Sequence, residues 1–207
     1  MRTLVIETST AACSVALIEH GAVIAAAHEV VGRGHAERLV PMIAELPDGG
    51  RAAAILVDCG PGSFTGIRVG IAAARGLALG WGAEAHGYSS LALVAAAGFA
   101  ENPDWTTLAV VLEGGHGEVF MQLFDAPLLS IGALASLKPE AASAVLGGRP
   151  AIGNGVRFLR PIETDATLVD ALPRAADAIL LPPALTALPP RPIYGRAPDA
   201  KPLAALT

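Results

Sequence analysis

Apolar and polar positions alternate or cluster in short blocks along the first third of the chain. Residues 3–7 form a β-rich run that ends in a carboxylate, Glu7, and a polar turn of Thr8, Ser9 and Thr10 follows it. Residues 12–18 and 22–30 read as two further strands, separated by a turn at Glu19, His20 and Gly21. Three consecutive strands joined by tight turns predict an antiparallel meander. After Gly32-Arg33-Gly34, residues 36–46 carry Leu39, Met42, Ile43 and Leu46 at helical spacing, with Pro41 tolerated only if the helix starts late or kinks. A buried strand at 53–57, a glycine-rich turn and a long helix at about 67–81 come next. The order β-β-β-α-β-α predicts a mixed sheet covered by helices, the α/β class.

A helix at 91–99 is expected to end at the polar break Glu101-Asn102-Pro103-Asp104, and strands at 108–112 and 118–124 flank a turn of Gly114-Gly115-His116-Gly117. This second β-β opening suggests a structural duplication without a close sequence repeat. The expected organisation is a lobe at 1–100, a smaller one at 101–190 and an extended proline-rich tail at 191–207.

The two central helices are apolar nearly all round. One row holds Leu39, Met42 and Leu46 with Val40 and Ile43 rotated from it; the second helix has Ile67, Ile71, Ala74 and Ala78 on one row, with Arg75 beside them. Such helices must be covered on two faces. One face fits the chain's own sheet; the other is covered by the second lobe or by a second protein, and periodicity leaves both readings open.

Composition sharpens this picture in two respects. Hydrophobic residues make up 53% and charged residues 16% of 207, much of the excess being alanine. Net charge is -5 with no basic run, which argues against direct binding of a nucleic acid through phosphate neutralisation. Cys13 and Cys59 lie in apolar segments and read as buried reduced thiols, predicting a cytoplasmic protein. No secretory leader is expected before Glu7, and charged residues interrupt every apolar stretch, so no membrane span is expected.

Candidate chemistry is sparse. Glu7, Thr8 and Ser9 at a strand end are suited to a hydrated metal and a nucleotide phosphate, but the same residues make an ordinary hairpin turn, which spacing alone favours. In Gly60-Pro61-Gly62-Ser63-Phe64-Thr65-Gly66, glycines free the backbone and Ser63 or Thr65 can cap the following helix; Ile67 and Arg68 after Gly66 exclude a P-loop. The five histidines show no i, i+4 pair and no HExxH, so no metal site is expected, and no Gly-x-Ser-x-Gly elbow surrounds Ser89-Ser90.

Glu7-Thr8-Ser9-Thr10 with residues 12–17, then 35–43, 60–70 and 87–91, resemble the TsaB (YeaZ) family in order and spacing, as do Gly117-Glu118-Val119-Phe120, Gly153-Asn154-Gly155 and residues 194–201. The 60–66 turn is the most specific marker. The resemblance implies a two-lobed actin-like ATPase fold, that of sugar kinases, heat-shock chaperones and actin. It implies a non-catalytic partner of TsaD, the metal-carrying enzyme that transfers threonylcarbamoyl to the tRNA adenosine next to the anticodon. TsaE joins that complex, tRNA is met only through it, and the free chain is expected to homodimerise. The partner surface is then expected at Leu39, Val40, Met42, Ile43, Leu46, Ile67, Ile71, Ala74, Arg75 and Ala78. No intrinsic cofactor and no catalytic residue is implied; ATP or ADP is placed at the complex interface, with Glu7, Thr8, Ser9, Gly114 and Gly115 as nucleotide-facing candidates. The competing reading is a stand-alone ATP-dependent or peptidase-like enzyme of the same superfamily. Glu7 stands where the family usually has Asp, Glu113-Gly114-Gly115-His116 replaces an Asp-Ala-Arg-like run, and Gly195 replaces a bulky apolar residue.

Overall fold

A computed structural model describes residues 1–196. The first three strands, β1 (Arg2–Glu7), β2 (Ala12–Glu19) and β3 (Ala22–Val30), form the antiparallel meander expected from their alternation. Helix α1 (His35–Ala44) leads to β4 (Ala54–Asp58), which pairs parallel to β1. Helix α2 (Phe64–Trp81) returns the chain to β5 (Glu84–Tyr88), parallel to β4, and α3 (Ser90–Glu101) follows. Ser63 caps α2, its side-chain oxygen accepting from the Gly66 N–H at 3.2 Å, and Gly82 ends the helix in a left-handed conformation.

The polar break at 102–104 separates this half from the next. There β6 (Thr107–Gly115), β7 (Glu118–Asp125) and β8 (Leu129–Leu137) form a second antiparallel meander, followed by α4 (Pro139–Leu146) and two short parallel strands, β9 (Ala151–Ile152) and β10 (Leu168–Val169). The sheet orders are β3-β2-β1-β4-β5 and, read in the same sense, β8-β7-β6-β9-β10. The halves are thus topological copies: meander, crossover helix, two parallel additions. This is an α/β arrangement of mixed sheets covered by helices. In the second copy the α2 position is reduced to a short 3-10 turn at Val156–Phe158.

Strand alternation divides the core into layers. On β1, Leu4 and Ile6 face α1 and α2, whereas Val5 faces α3 and the second sheet. On β6, Leu108, Val110 and Leu112 share the α3 core, and Ala109 and Val111 pack toward α4 through Ala142 and Leu146. Helix α3, the most uniformly apolar, lies between the sheets and is buried nearly throughout, which is why it shows no polar face.

The segment after β10 returns to the first half. A 3-10 stretch at Ala175–Leu180 packs on β2, β3, β1 and α3, and the Ala175 N–H donates to Ser14 Oγ at 3.0 Å. Residues 187–193 then lie along the exposed side of β5. The Gly87 N–H donates to the Leu188 carbonyl at 2.6 Å, and the Ile193 N–H to the Cys59 carbonyl at 2.7 Å. This covers a sheet edge that would otherwise be free to pair with another chain. Of the expected tail, residues 197–207 lie outside the described residues. Gly195 rests on the Phe120 ring, where a Cβ would collide with two ring carbons, which accounts for a residue smaller than the bulky one expected.

Gly66 and Gly80 sit in the same helix with opposite surroundings. A Cβ on Gly66 would run into the Thr8 carbonyl oxygen, and one on Gly80 meets nothing within 4 Å. We expect Gly66→Ala to destabilise the protein by about 1–3 kcal/mol or more through overpacking. Gly80→Ala should stabilise it by up to about 1 kcal/mol through helix propensity. Urea midpoints of the two variants check both signs.

Candidate functional site

Three neighbouring parallel strands, β1, β4 and β5, end in Glu7, Asp58 and Tyr88. Ligands of open α/β sheets commonly bind at such carboxyl ends. Here all three side chains are fully buried, as are Thr8 and, almost completely, Ser9. Glu7 Oε1 accepts from the Ser9 N–H at 2.8 Å and the Ser9 hydroxyl at 2.5 Å. The Tyr88 hydroxyl lies 3.0 Å from Glu7 Oε2 and 3.1 Å from the Ile6 carbonyl. Asp58 Oδ1 accepts from the Gly60 N–H at 2.6 Å and the Ser90 hydroxyl at 2.7 Å, while Oδ2 is buried with no hydrogen-bond partner among the described residues.

The lid on this cluster is the 60–66 turn. The Ser63 N–H donates to the Ser9 carbonyl at 2.6 Å, and the Thr8 hydroxyl donates to the Gly66 carbonyl at 2.9 Å. A Cβ on Gly62, Gly66 or Gly70 would strike Ser9 or Thr8. The glycines of the marker turn are therefore required for backbone-on-backbone contact. They press the second turn onto the first.

Burial raises the pKa of both carboxyls. Glu7 is pushed well up by burial and then by the charge of Asp58; Asp58 is pushed up to about 6 by burial, against the stabilising bonds from Ser90 and Gly60. The Tyr88 hydroxyl is raised by burial and by Glu7. The pair keeps a proton to higher pH than solvated carboxyls would.

Two groups of residues were expected to face a nucleotide. The polar side-chain atoms of Glu7, Thr8 and Ser9 are buried and are hydrogen-bonded within the chain. Gly114 and Gly115 lie in the β6–β7 turn of the other sheet. Gly114 is walled by Glu118 and Phe120 of its own hairpin. Lys138 donates to the His116 carbonyl at 3.0 Å and Arg157 pairs with Glu113 at 2.7 Å, fixing that turn.

The expected partner surface also divides. Leu39, Met42, Ile43, Leu46, Ile67, Ile71 and Ala74 are buried against the first sheet, so they belong to the chain's own core. Ala78 is half-buried and packs at the edge of the same core. Val40 is 58% exposed and Arg75 is also exposed, donating to the Pro190 carbonyl at 2.6 Å. The exposed residues are Ala36, Glu37, Val40, Pro41 and Ala44 on α1 and Phe64, Thr65, Ala72, Arg75, Gly76, Leu79 and Gly80 on α2. Leu79 is 88% exposed. At the start of α2, Phe64 is 66% exposed with the Arg68 guanidinium 3.1 Å above its ring centre, and Arg68 also donates to the Tyr194 hydroxyl at 2.6 Å.

Residue patterns missed Asp58, Ser90 and Tyr88 as members of the cluster. A carboxylate ending the apolar run at 54–58, directly before a glycine turn, was the available signal for Asp58.

The family of tRNA N6-adenosine threonylcarbamoyltransferases, TsaD, matches residues 25–128. The tRNA threonylcarbamoyladenosine biosynthesis protein TsaB of Escherichia coli is 40% identical over 125 residues, 58% of this chain and 53% of that protein. The chain thus aligns with about half the length of that relative. An uncharacterised Mycobacterium tuberculosis protein is 30% identical over 99% of this chain and 96% of its own length. The crystal structure of YeaZ from Pseudomonas aeruginosa superposes with a TM-score of 0.77 at 29% identity, covering 93% of this chain and 99% of that one.

An acid whose folded pKa lies above its ordinary value weakens the fold as it ionises. For Asp58 that window runs from about 3.8, the ordinary value, to about 6, because the unfolded chain releases its proton first. We expect the stability of Asp58→Asn relative to the parent to rise with pH across this window. Urea unfolding at intervals from pH 4 to pH 7, taken as the difference between the two proteins, reads this slope; a flat difference contradicts it.

Proposed function

This chain belongs to the TsaB (YeaZ) family, and on that premise we propose that it is a non-catalytic subunit that dimerises with and activates TsaD. The joint task is transfer of threonylcarbamoyl to the tRNA adenosine next to the anticodon. The observation that carries the reading is the outward face of α1 and α2, where Val40 and Leu79 stand exposed among alanines and glycines. A large exposed apolar side chain amid small ones suits close helix-to-helix docking, in which glycines let the backbones approach and leucine fills the opposing groove. The cluster that Phe64 and Arg68 at the start of α2 make with Tyr194 of the returning C-terminal segment has the aromatic and arginine chemistry that dominates binding energy at interfaces.

The sealed carboxylate cluster supports placing catalysis on the partner. Glu7 and Asp58 have no room for a phosphate beneath the glycine turn, so ATP or ADP taking part in the reaction would sit at the interface with TsaD. TsaE joins the same assembly, and tRNA reaches this acidic chain only through it. In the absence of TsaD, two copies are expected to pair through the same face. Two buried free thiols fit a reducing, cytoplasmic setting, and no helix among the described residues is long and apolar enough to cross a membrane.

Leu79→Asp and Gly76→Leu place a charge and a bulky group on the outward face without touching the core. Each is expected to weaken the heterodimer with TsaD by about 30-fold or more, as loss of a binding hot spot does, with the fold retained and the melting temperature of Gly76→Leu not lowered. Threonylcarbamoyladenosine in tRNA should fall in cells that depend on these variants. Leu39→Asp should instead unfold the chain. Undiminished co-elution of Leu79→Asp and Gly76→Leu with TsaD would overturn the assignment of this face.

A further inference from the structure

A half-enclosed cleft of about 270 Å³ lies between the two halves of the molecule and shares no lining residue with the carboxylate cluster or the outward face of α1 and α2. Its floor is apolar and narrow: Val94 of α3 and Ile152 of β9 are core residues that reach the cleft with only a small part of their surface. Its rim is ionic. Glu101 ends α3, and Asp170, Arg174 and Asp177 come from the segment that crosses back to the first sheet. The remaining titratable group facing the cleft is His28 of β3.

None of these four charged rim side chains has a hydrogen bond or ion pair among the described residues. Glu101, Arg174 and Asp177 nevertheless sense one another. Burial raises the Asp177 carboxyl, with Arg174 opposing and Glu101 adding to the shift; burial and Arg174 together lower His28. Opposite charges are thus held near each other without closing to ion-pair distance, over a greasy floor. Arg2, Arg38 and Arg157 of the same chain all close onto carboxylates. Glu101, Asp170 and Arg174 are exposed and Asp177 is half-buried, so water solvates them in the cleft and both signs of charge are open to a ligand.

We propose that this cleft binds a small zwitterion, a free α-amino acid with an aliphatic side chain. The ligand carboxylate would meet the Arg174 guanidinium, whose fork suits a carboxylate. The ligand ammonium would lie among Glu101, Asp170 and Asp177, and the side chain on Val94 and Ile152. The volume falls below the roughly 300–1,000 Å³ of pockets for larger ligands, which sets the ligand at the size of one amino acid. A simple aliphatic cation leaves Arg174 without a carboxylate to bind, so it forgoes that half of the site. This inference is independent of partner docking.

Calorimetric titration of the full chain with L-valine, L-leucine, isoamylamine and 4-methylpentanoate tests it. At least one of the two amino acids should bind saturably at concentrations up to about 10 mM. The amine, lacking a carboxylate, and the acid, lacking an ammonium, should each bind at least tenfold more weakly. Arg174→Ala should cost amino-acid binding tenfold or more. Arg174 is exposed and unpaired, so its variants should keep the parent melting temperature; Arg174→Gln serves the same purpose if the alanine variant melts early. No saturable binding of either amino acid, equal binding of isoamylamine, or binding unaffected at Arg174 would overturn the proposal.

Discussion

Where the Ser63 N–H meets the Ser9 carbonyl at 2.6 Å, and Gly62 and Gly66 leave no side chain in the way, two polar turns close on each other. Much of the first half depends on that contact. It satisfies backbone groups that would otherwise need water. It starts α2 at Ser63, and so sets which face of α2 meets the sheet. It also closes over the ends of β1, β4 and β5, leaving Glu7 and Asp58 in an environment where a second negative charge is costly. A site that would be an open crevice in a ligand-binding α/β protein is here a buried polar plug, held by Ser9, Ser90 and Tyr88.

The duplicated topology explains why the second half is thinner. Its copy of the crossover helix, α4, is only eight residues, and the α2 position is a three-residue turn. With little to cover them, β9 and β10 shrink to two residues each. The chain compensates by spending the stretch after β10 on the first half, where Ala175 and Ala178 join the α3 core and residues 187–193 cover the β5 edge. Helix α3 is the shared element: its uniformly apolar surface is required because sheets lie on two sides of it.

How much of this was legible in the residues followed from how strongly each element is patterned. The first meander, α1, α2, α3 and the β6–β7 hairpin were readable because long apolar runs with clear turns fix their period. β5 was not, since Glu84-Ala85-His86-Gly87-Tyr88 has half-exposed polar positions and a glycine that exists to clear Cys59 Sγ and the returning tail. β8 was missed because Leu129–Leu137 is an exposed edge of small and apolar residues with no alternation. α4 carried its signal, proline at the first turn followed by Glu140, but is too short for periodicity to speak. Spacing lets the Glu7 turn be either phosphate-facing or structural, and it cannot say what lies 58 residues away in sequence and 2.9 Å away in space, which is the glycine turn that buries it.

The apolar excess of α1 and α2 separates into two kinds of residue once their surroundings are known. The large side chains at Leu39, Met42, Ile67 and Ile71 are consumed by the chain's own sheet, so their abundance says nothing about partners. The small residues are more telling. Gly66 and Gly70 face inward, where Thr8 leaves no room for a Cβ. Gly76 and Gly80 face outward with open space around them, and each costs the helix roughly 1 kcal/mol relative to alanine. Nothing among the described residues offsets that cost. On the proposed docking, a residue that weakens its own helix and touches nothing would let a second backbone come close at that point, and the bare Leu79 beside it would give such an approach something to bury.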